Sequence, residues 1–376
     1  MMKSAANPVR ATVFALLVTA CSSSSSSPSE TPSPTPAPTG TTPPVTTPAV
    51  DDTARKAKAV QEMHDTLLTD VTALADATAA IQAAAPTPVG RGWDKTADAA
   101  ALSAMRAAWL TARTAYEHIE GALAPLFPDI DVSIDARYDD FLANLTATGG
   151  DAYLFDDQGV TGMHAVERVL FAEVIPARVI TFEKTLAGYV PAATPATEKE
   201  AADFKNKLCA KLVADTKRLL SEWTPARIDV RIAYAGLTSL VAEQREKVQK
   251  ASTGEEESRY AQRTMSDLRD NLEGTKKVYA IFQPWITSKA SPAADLDKGI
   301  LAGLASLDAA YKEVSGDAVP EPPATWSAEA PSAADLQTPF GKLYTSILKQ
   351  ADPAKSDSVV ARLDAAGLLL GFPATN

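Results

Sequence analysis

The chain has little of what most metal centres and folding scaffolds are built from. It holds two cysteines, Cys21 and Cys209, in 376 residues. That excludes a disulfide-stapled scaffold and any zinc site made of several thiolates. Basic residues are outnumbered, with 36 Lys and Arg against 47 Asp and Glu and a formal charge of −11. A phosphate backbone needs a basic face, so nucleic acid is not an expected partner. Aromatic residues make up 6% of the chain and strand-like alternation is nearly absent, which points away from β-architectures. No His-Glu-x-x-His helix, Gly-x-Ser-x-Gly elbow or plausible Cys/His nucleophile occurs, so a hydrolase has no recognisable motif.

What is present begins with an export signal. Lys3 and Arg10 precede the apolar run Ala11 to Ala20, which is too short to remain as a spanning helix. Leu17-Val18-Thr19-Ala20-Cys21 is similar to a bacterial lipobox, which implies cleavage before Cys21 and attachment of lipid to that residue. Residues 1–20 are therefore read as signal peptide and Cys21 as a lipid anchor. Residues 21–50 are almost wholly Ser, Thr and Pro after the cysteine. They have nothing apolar enough to offset the entropy of ordering, and are expected to form a disordered tether. No other stretch is apolar enough to cross a membrane. The expected location is extracytoplasmic, anchored to the membrane on its periplasmic or cell-surface side. Cys209, between Leu208 and Ala210, reads as a small buried hydrophobe.

From 51 to 376 the chain reads as helical. Val60, Met63, Leu67, Val71 and Leu74 recur at helix spacing, as do Leu102, Met105, Trp109, Ala112, Tyr116, Ile119 and Leu123. Further helices are expected near 159–174, 178–193, 197–222, 226–251, 256–282, 293–314, 333–350 and 357–369. Breaks are expected at Pro86, Pro125, Pro176, Pro195, Pro225, Pro284 and Pro353. This much helix exceeds one four-helix core, so the expected fold is all-α with two packed bundles.

Three histidines occur, His64, His118 and His164. His164 and Glu167 are three residues apart and project from one helix face, beside a core stripe of Val160, Met163, Val166, Leu170 and Val174. Trp109, Arg113, Glu117 and Glu120 form a second stripe, and the segment 129–140, read as a loop, adds more acids, Asp135 among them. Like charges held together raise one another's pKa unless a cation neutralises them. A carboxylate pair, a His/Glu pair and an acidic loop are components of a carboxylate-rich iron site in a helix bundle; a solvated acidic face is the alternative. His118 is a candidate axial ligand for haem, and His64 reads as structural. Trp109 and Tyr116 read as core residues.

At these residues the sequence resembles the imelysin-like family, and within it the EfeM/EfeO-type lipoproteins of bacterial iron uptake. Gly162-Met163-His164-Ala165-Val166-Glu167 fits a Gly-x-His-x-x-Glu signature. Tyr116-Glu117-His118-Ile119-Glu120, Ile134-Asp135-Ala136-Arg137 with Asp139-Asp140, Gly236 to Glu243, Thr253-Gly254-Glu255-Glu256 and Asp267 to Gly274 are similar to further landmarks in the same order. The Tyr-Ser-His-Thr-Asp stretch of the family is Tyr260-Ala261-Gln262-Arg263-Thr264 here, without its histidine and aspartate.

The resemblance implies a metal site with His164, Glu167, Glu117, Glu120, Asp135 and Glu243 at the matching positions, Glu246 being an alternative to Glu243. It implies iron, Fe³⁺ or Fe²⁺, as the ion captured, with zinc as an alternative. An iron permease and a haem peroxidase of the same uptake system are the implied partners. The tether leads straight into the helical part, so the chain is similar to the shorter EfeM type, without a cupredoxin-like domain. Two other functions compete with iron capture. One is a metallopeptidase with Glu167 or Glu120 as base, and the other a helical module for haem or an acidic polymer.

Overall fold

Met63, Leu67, Val71 and Leu74 are fully buried along one face of α1 (Asp52–Ala84), as their spacing predicts; Val60 at the start of the stripe is half-buried, and Ile81 extends the buried face. The computed structural model describes residues 52–144 and 151–373; the signal segment, Cys21 and the whole of the tether lie outside them. In α2 (Ala99–Leu126) the stripe Met105, Trp109, Ala112, Tyr116, Ile119 and Leu123 is likewise buried. Each such aliphatic side chain contributes about 1.5–3 kcal/mol by leaving water.

The acidic segment after α2 is not a loop. Pro128 opens α3 (Pro128–Asp135), and α4 (Tyr138–Asn144) follows. Pro is suited to a first helical turn because its missing N–H has no partner there, and acids in that turn face the positive helix end. Next come α5 (Gly162–Leu170), α6 (Ala177–Glu183), α7 (Glu198–Asp203) and α8 (Cys209–Glu222), the last two joined by a π-turn at 204–208. Thr197 and Glu200 cap α7 reciprocally. The remaining helices are α9 (Val230–Ala251), α10 (Thr264–Thr287), α11 (Ala293–Lys312), α12 (Pro339–Ala351) and α13 (Val359–Leu369).

The fold is all-α, with no strand among the described residues. The first bundle packs α1 on α2 and α8, with α3 and α5 packed against α2, α8 and each other. The second packs α9 to α13, with α9 against α12 and α10 against α11. The long helix α2 runs against α9 and α10 and joins the two.

Several boundaries differ from the sequence expectation. The helix expected over 178–193 ends at Glu183, and that expected over 333–350 starts at Pro339. The helix expected over 256–282 starts at Thr264; residues 252–263 are turns, with Gly254 and Gln262 at positive φ. Pro125 and Pro284 sit inside the last turns of α2 and α10 instead of ending them. Pro125 frees the carbonyl of Gly121 from its helix bond. That oxygen lies against Gly236 of α9, where a Cβ would come within 1.8 Å of it. Beyond Pro284, Trp285 and Ile286 are buried, and their packing offsets the one lost hydrogen bond. Val174, expected in the α5 stripe, is 62% exposed because α5 ends at Leu170.

Candidate metal centre

Gly162 opens α5 with φ +86°, and a Cβ there would meet the Ile134 carbonyl oxygen at 2.4 Å. Only a residue without a side chain lets α5 start so close to the end of α3. The close approach puts His164, in the first turn of α5, beside Asp135, the last residue of α3. His164 is 3% exposed. Its Nε2 lies 3.3 Å from Asp135 Oδ1 and 3.9 Å from Glu257 Oε1. Asp135, His164 and Glu257 each offer one ligand atom, and these atoms lie within 4.8 Å of one another.

The orientation of the imidazole is set from behind. Glu167 Oε1 accepts the backbone N–H groups of Tyr260 at 3.0 Å and Ala261 at 2.8 Å. Its Oε2 lies 2.8 Å from His164 Nδ1, which donates to it. Nε2 therefore faces Asp135 and Glu257, and it has no hydrogen-bond partner of acceptable geometry. A buried ring nitrogen left in this way, with its other nitrogen held by a carboxylate, is the arrangement of a metal-binding histidine.

Two of the chain's own basic residues stand among the acids. Arg113 of α2 is fully buried and pairs with Glu117, Asp135, Glu257 at 3.1 Å and Asp267 at 3.6 Å, with Tyr116 under its guanidinium. Lys247 of α9 lies 2.9 Å from Glu120, 3.5 Å from Glu257 and 3.6 Å from Glu117. It also donates to Asn271 Oδ1 at 3.0 Å. The mutual repulsion read from the sequence is thus offset largely within the protein. Burial works against ionising Glu257, but Lys247 and Arg113 hold its carboxyl well below the usual range. Asp135 is lowered in the same way against burial, by Arg113 and His164. Burial disfavours charge on His164, yet the adjoining Asp135 carboxylate and the hydrogen bond to Glu167 raise it to about 9. Burial, then the nearby Asp135 charge, pushes Asp131 up to about 7, although Tyr116 donates to it at 2.7 Å.

Of the residues singled out in the sequence, His164 and Asp135 come together. Glu167 adjoins them with both oxygens engaged. Glu117 and Glu120 lie beyond Glu257, bound to Arg113, Lys247 and the Asn271 amide. Glu243 and Glu246 stand at the rim of a cleft of about 170 Å³ that Asp135, Glu120, Lys247 and Glu257 also line. Glu246 pairs there with Lys250 at 2.6 Å. Glu257, Arg113 and Lys247 carry the site's geometry and were not assigned to it from sequence. Glu257 was hidden by the helix expected over its turn. Arg113 already lay on the same stripe as Glu117 and Glu120. The other histidines are elsewhere: His118 faces Asp70 at 2.9 Å and Lys277 at 3.2 Å, and His64 pairs with the exposed Asp65. Cys209 is buried, which pushes its thiol pKa well up, as expected of a core residue.

The chain is similar to known proteins. The iron uptake system component EfeO of Escherichia coli O157:H7 is 26% identical over 211 residues, 56% of this chain and 42% of its own length. The protein of the same description in Shigella flexneri matches to the same extent. The chain thus spans less than half the length of these relatives. Among solved structures, an imelysin-like protein from Psychrobacter arcticum 273-4 shares the fold with a TM-score of 0.54. That likeness covers 87% of this chain and 98% of the other, at 13% identity. With the imelysin family model matching residues 60–353, the chain belongs to the imelysin family.

Proposed function

We propose that this protein captures an iron ion outside the cytoplasmic membrane and passes it to a membrane permease. Asp135, His164 and Glu257 supply the ligands, with Glu167 orienting His164. The observation that carries this reading is the buried Nε2 of His164, which makes no hydrogen bond and faces two carboxylates. Two hard oxygens and one imidazole suit Fe²⁺ or Fe³⁺, and zinc is the competing ion by affinity order. The description of the relatives as iron uptake components supports iron. Each carboxylate oxygen has two lone pairs, so Asp135 and Glu257 can bind an ion while still accepting from Arg113.

In the same reading residues 1–20 are removed, Cys21 carries lipid, and 21–50 tether the helical part, 51–376, to the membrane. A haem peroxidase of the same system is a further partner. A binding role is favoured over peptidase activity because the two candidate bases are already engaged. Glu167 is held by two backbone N–H groups and His164, and Glu120 by Lys247 and Asn271.

Anaerobic titration calorimetry with Fe²⁺ tests the site. Wild type is expected to bind, and His164→Ala and Glu257→Gln to bind at least about tenfold more weakly. Unchanged affinity in both variants would remove the site.

A further inference from the structure

Lys247 sits as a bound cation would. Around its Nζ stand Glu120 Oε2 at 2.9 Å, Asn271 Oδ1 at 3.0 Å, Glu120 Oε1 at 3.1 Å, Glu257 Oε2 at 3.5 Å and Glu117 Oε2 at 3.6 Å. This is an oxygen cage assembled from α2, α10 and the 252–263 turns, closed by an ammonium from α9. The side chain is 8% exposed, and its outer side lines the cleft that leads to Asp135 and Glu257.

The two internal cations are held differently. Arg113 is fully enclosed, forked onto four carboxylates and stacked on Tyr116. A planar guanidinium in that setting has nowhere to go. Lys247 is a compact charge on a stem of rotatable bonds, at the cleft wall. It also has a second partner within reach. Glu243 lies four residues earlier on α9, exposed on the same cleft, and makes no ion pair among the described residues. A glutamate four residues before a lysine is the favoured helical pair.

Glu257 links this cage to the ion site. Its Oε1 faces Arg113 and His164, and its Oε2 faces Lys247. An ion arriving at the triad brings two or three positive charges to a carboxylate that Lys247 already neutralises. Like charges sharing a buried carboxylate repel strongly, and the mobile one yields.

We propose that Lys247 is a displaceable internal cation, which fills the Glu117/Glu120/Glu257/Asn271 cage before an ion is captured and swings out to Glu243 when the ion arrives. This rests on ion binding at the Asp135/His164/Glu257 triad. Lys247 acts through Glu257 and is a positioning residue: its charge holds the cage closed without an ion and lowers affinity for the ion.

Amine acetylation of the wild-type protein, followed by peptide mass spectrometry, reads the displacement without any variant. Lys250, paired with Glu246 on the same helix, is the internal control. The expected result is that saturating Fe²⁺ under anaerobic conditions speeds acetylation of Lys247 at least about fivefold and leaves Lys250 unchanged. In parallel, Lys247→Met is expected to tighten Fe²⁺ binding at least about tenfold and to lower the melting temperature of the ion-free protein, with Fe²⁺ restoring it. Equal acetylation of Lys247 with and without Fe²⁺, in a protein whose binding is lost in His164→Ala, overturns the displacement and leaves the ion site standing. Unchanged or weaker binding by folded Lys247→Met does the same. A wild-type protein that binds no Fe²⁺ overturns both. Should Lys247→Met fail to fold, wild-type acetylation decides alone.

Discussion

His164 Nδ1 and Glu167 Oε2 lie 2.8 Å apart, and the other oxygen of that carboxylate holds the N–H groups of Tyr260 and Ala261. One side chain thereby ties α5, which carries His164, to the turns that carry Glu257. Glu167→Gln keeps the size but replaces one acceptor oxygen with a donor, so it cannot serve both sides. The expected outcome is a loss of about 10–100-fold in Fe²⁺ affinity without removal of any ligand. Calorimetry on the folded variant checks this; wild-type affinity would show that the tie is dispensable.

Proton release should accompany ion binding. With its pKa raised to about 9, His164 carries a proton on Nε2 at neutral pH, and an ion bound there must displace it. Apparent affinity is then expected to rise about tenfold per pH unit from neutrality and to level off near pH 9. The binding enthalpy should vary with the ionisation enthalpy of the buffer by about one proton. For the ion-free fold the sign is reversed. A folded pKa above the ordinary 6.5 contributes stability that is fully present below pH 6.5 and lost as pH rises through about 9. Binding without proton uptake or release at pH 7 would contradict the assignment of Nε2.

Gly162 is expected to be intolerant of a side chain. Gly162→Ala places a Cβ at a left-handed φ and within 2.4 Å of the Ile134 oxygen. A loss of at least about 1–3 kcal/mol in stability is expected, together with weaker ion binding as α5 moves away from α3. Thermal melts and calorimetry together test this. A variant with wild-type stability and affinity would mean that the contact does not position His164.

His118 is expected to have no part in ion capture. It faces Asp70 and Lys277, apart from the Asp135, His164 and Glu257 cluster. His118→Ala should bind Fe²⁺ as wild type does, and haem should give no Soret shift that depends on this residue. A His118-dependent shift would instead support the haem-binding alternative.

The helical stripes were legible because burial on one face repeats every three or four residues, and Met63 to Leu74 and Met105 to Leu123 follow that rule. The pairing of His164 with Glu167 was legible for the same geometric reason. Glu257 was not, because Glu255 to Gln262 has a composition compatible with helix. The turn forms there because Glu167 captures the Tyr260 and Ala261 N–H groups, and Arg178 and Arg259 bind Glu256 and Asp139. Those partners are distant in sequence. The role of Lys247 was hidden likewise, since its cage comes from α2, α10 and these turns. The acids of 129–140 fold as two short helices because the apolar Ile130, Ile134 and Tyr138 between them are buried.

Crystals soaked with iron, measured for anomalous scattering on both sides of the iron absorption edge, locate the ion without reference to any mutant. The expected map holds a peak about 2 Å from His164 Nε2 and from one oxygen each of Asp135 and Glu257. An iron peak lying only among Glu120, Glu243 and Glu246, with His164 Nε2 unligated, would contradict the site.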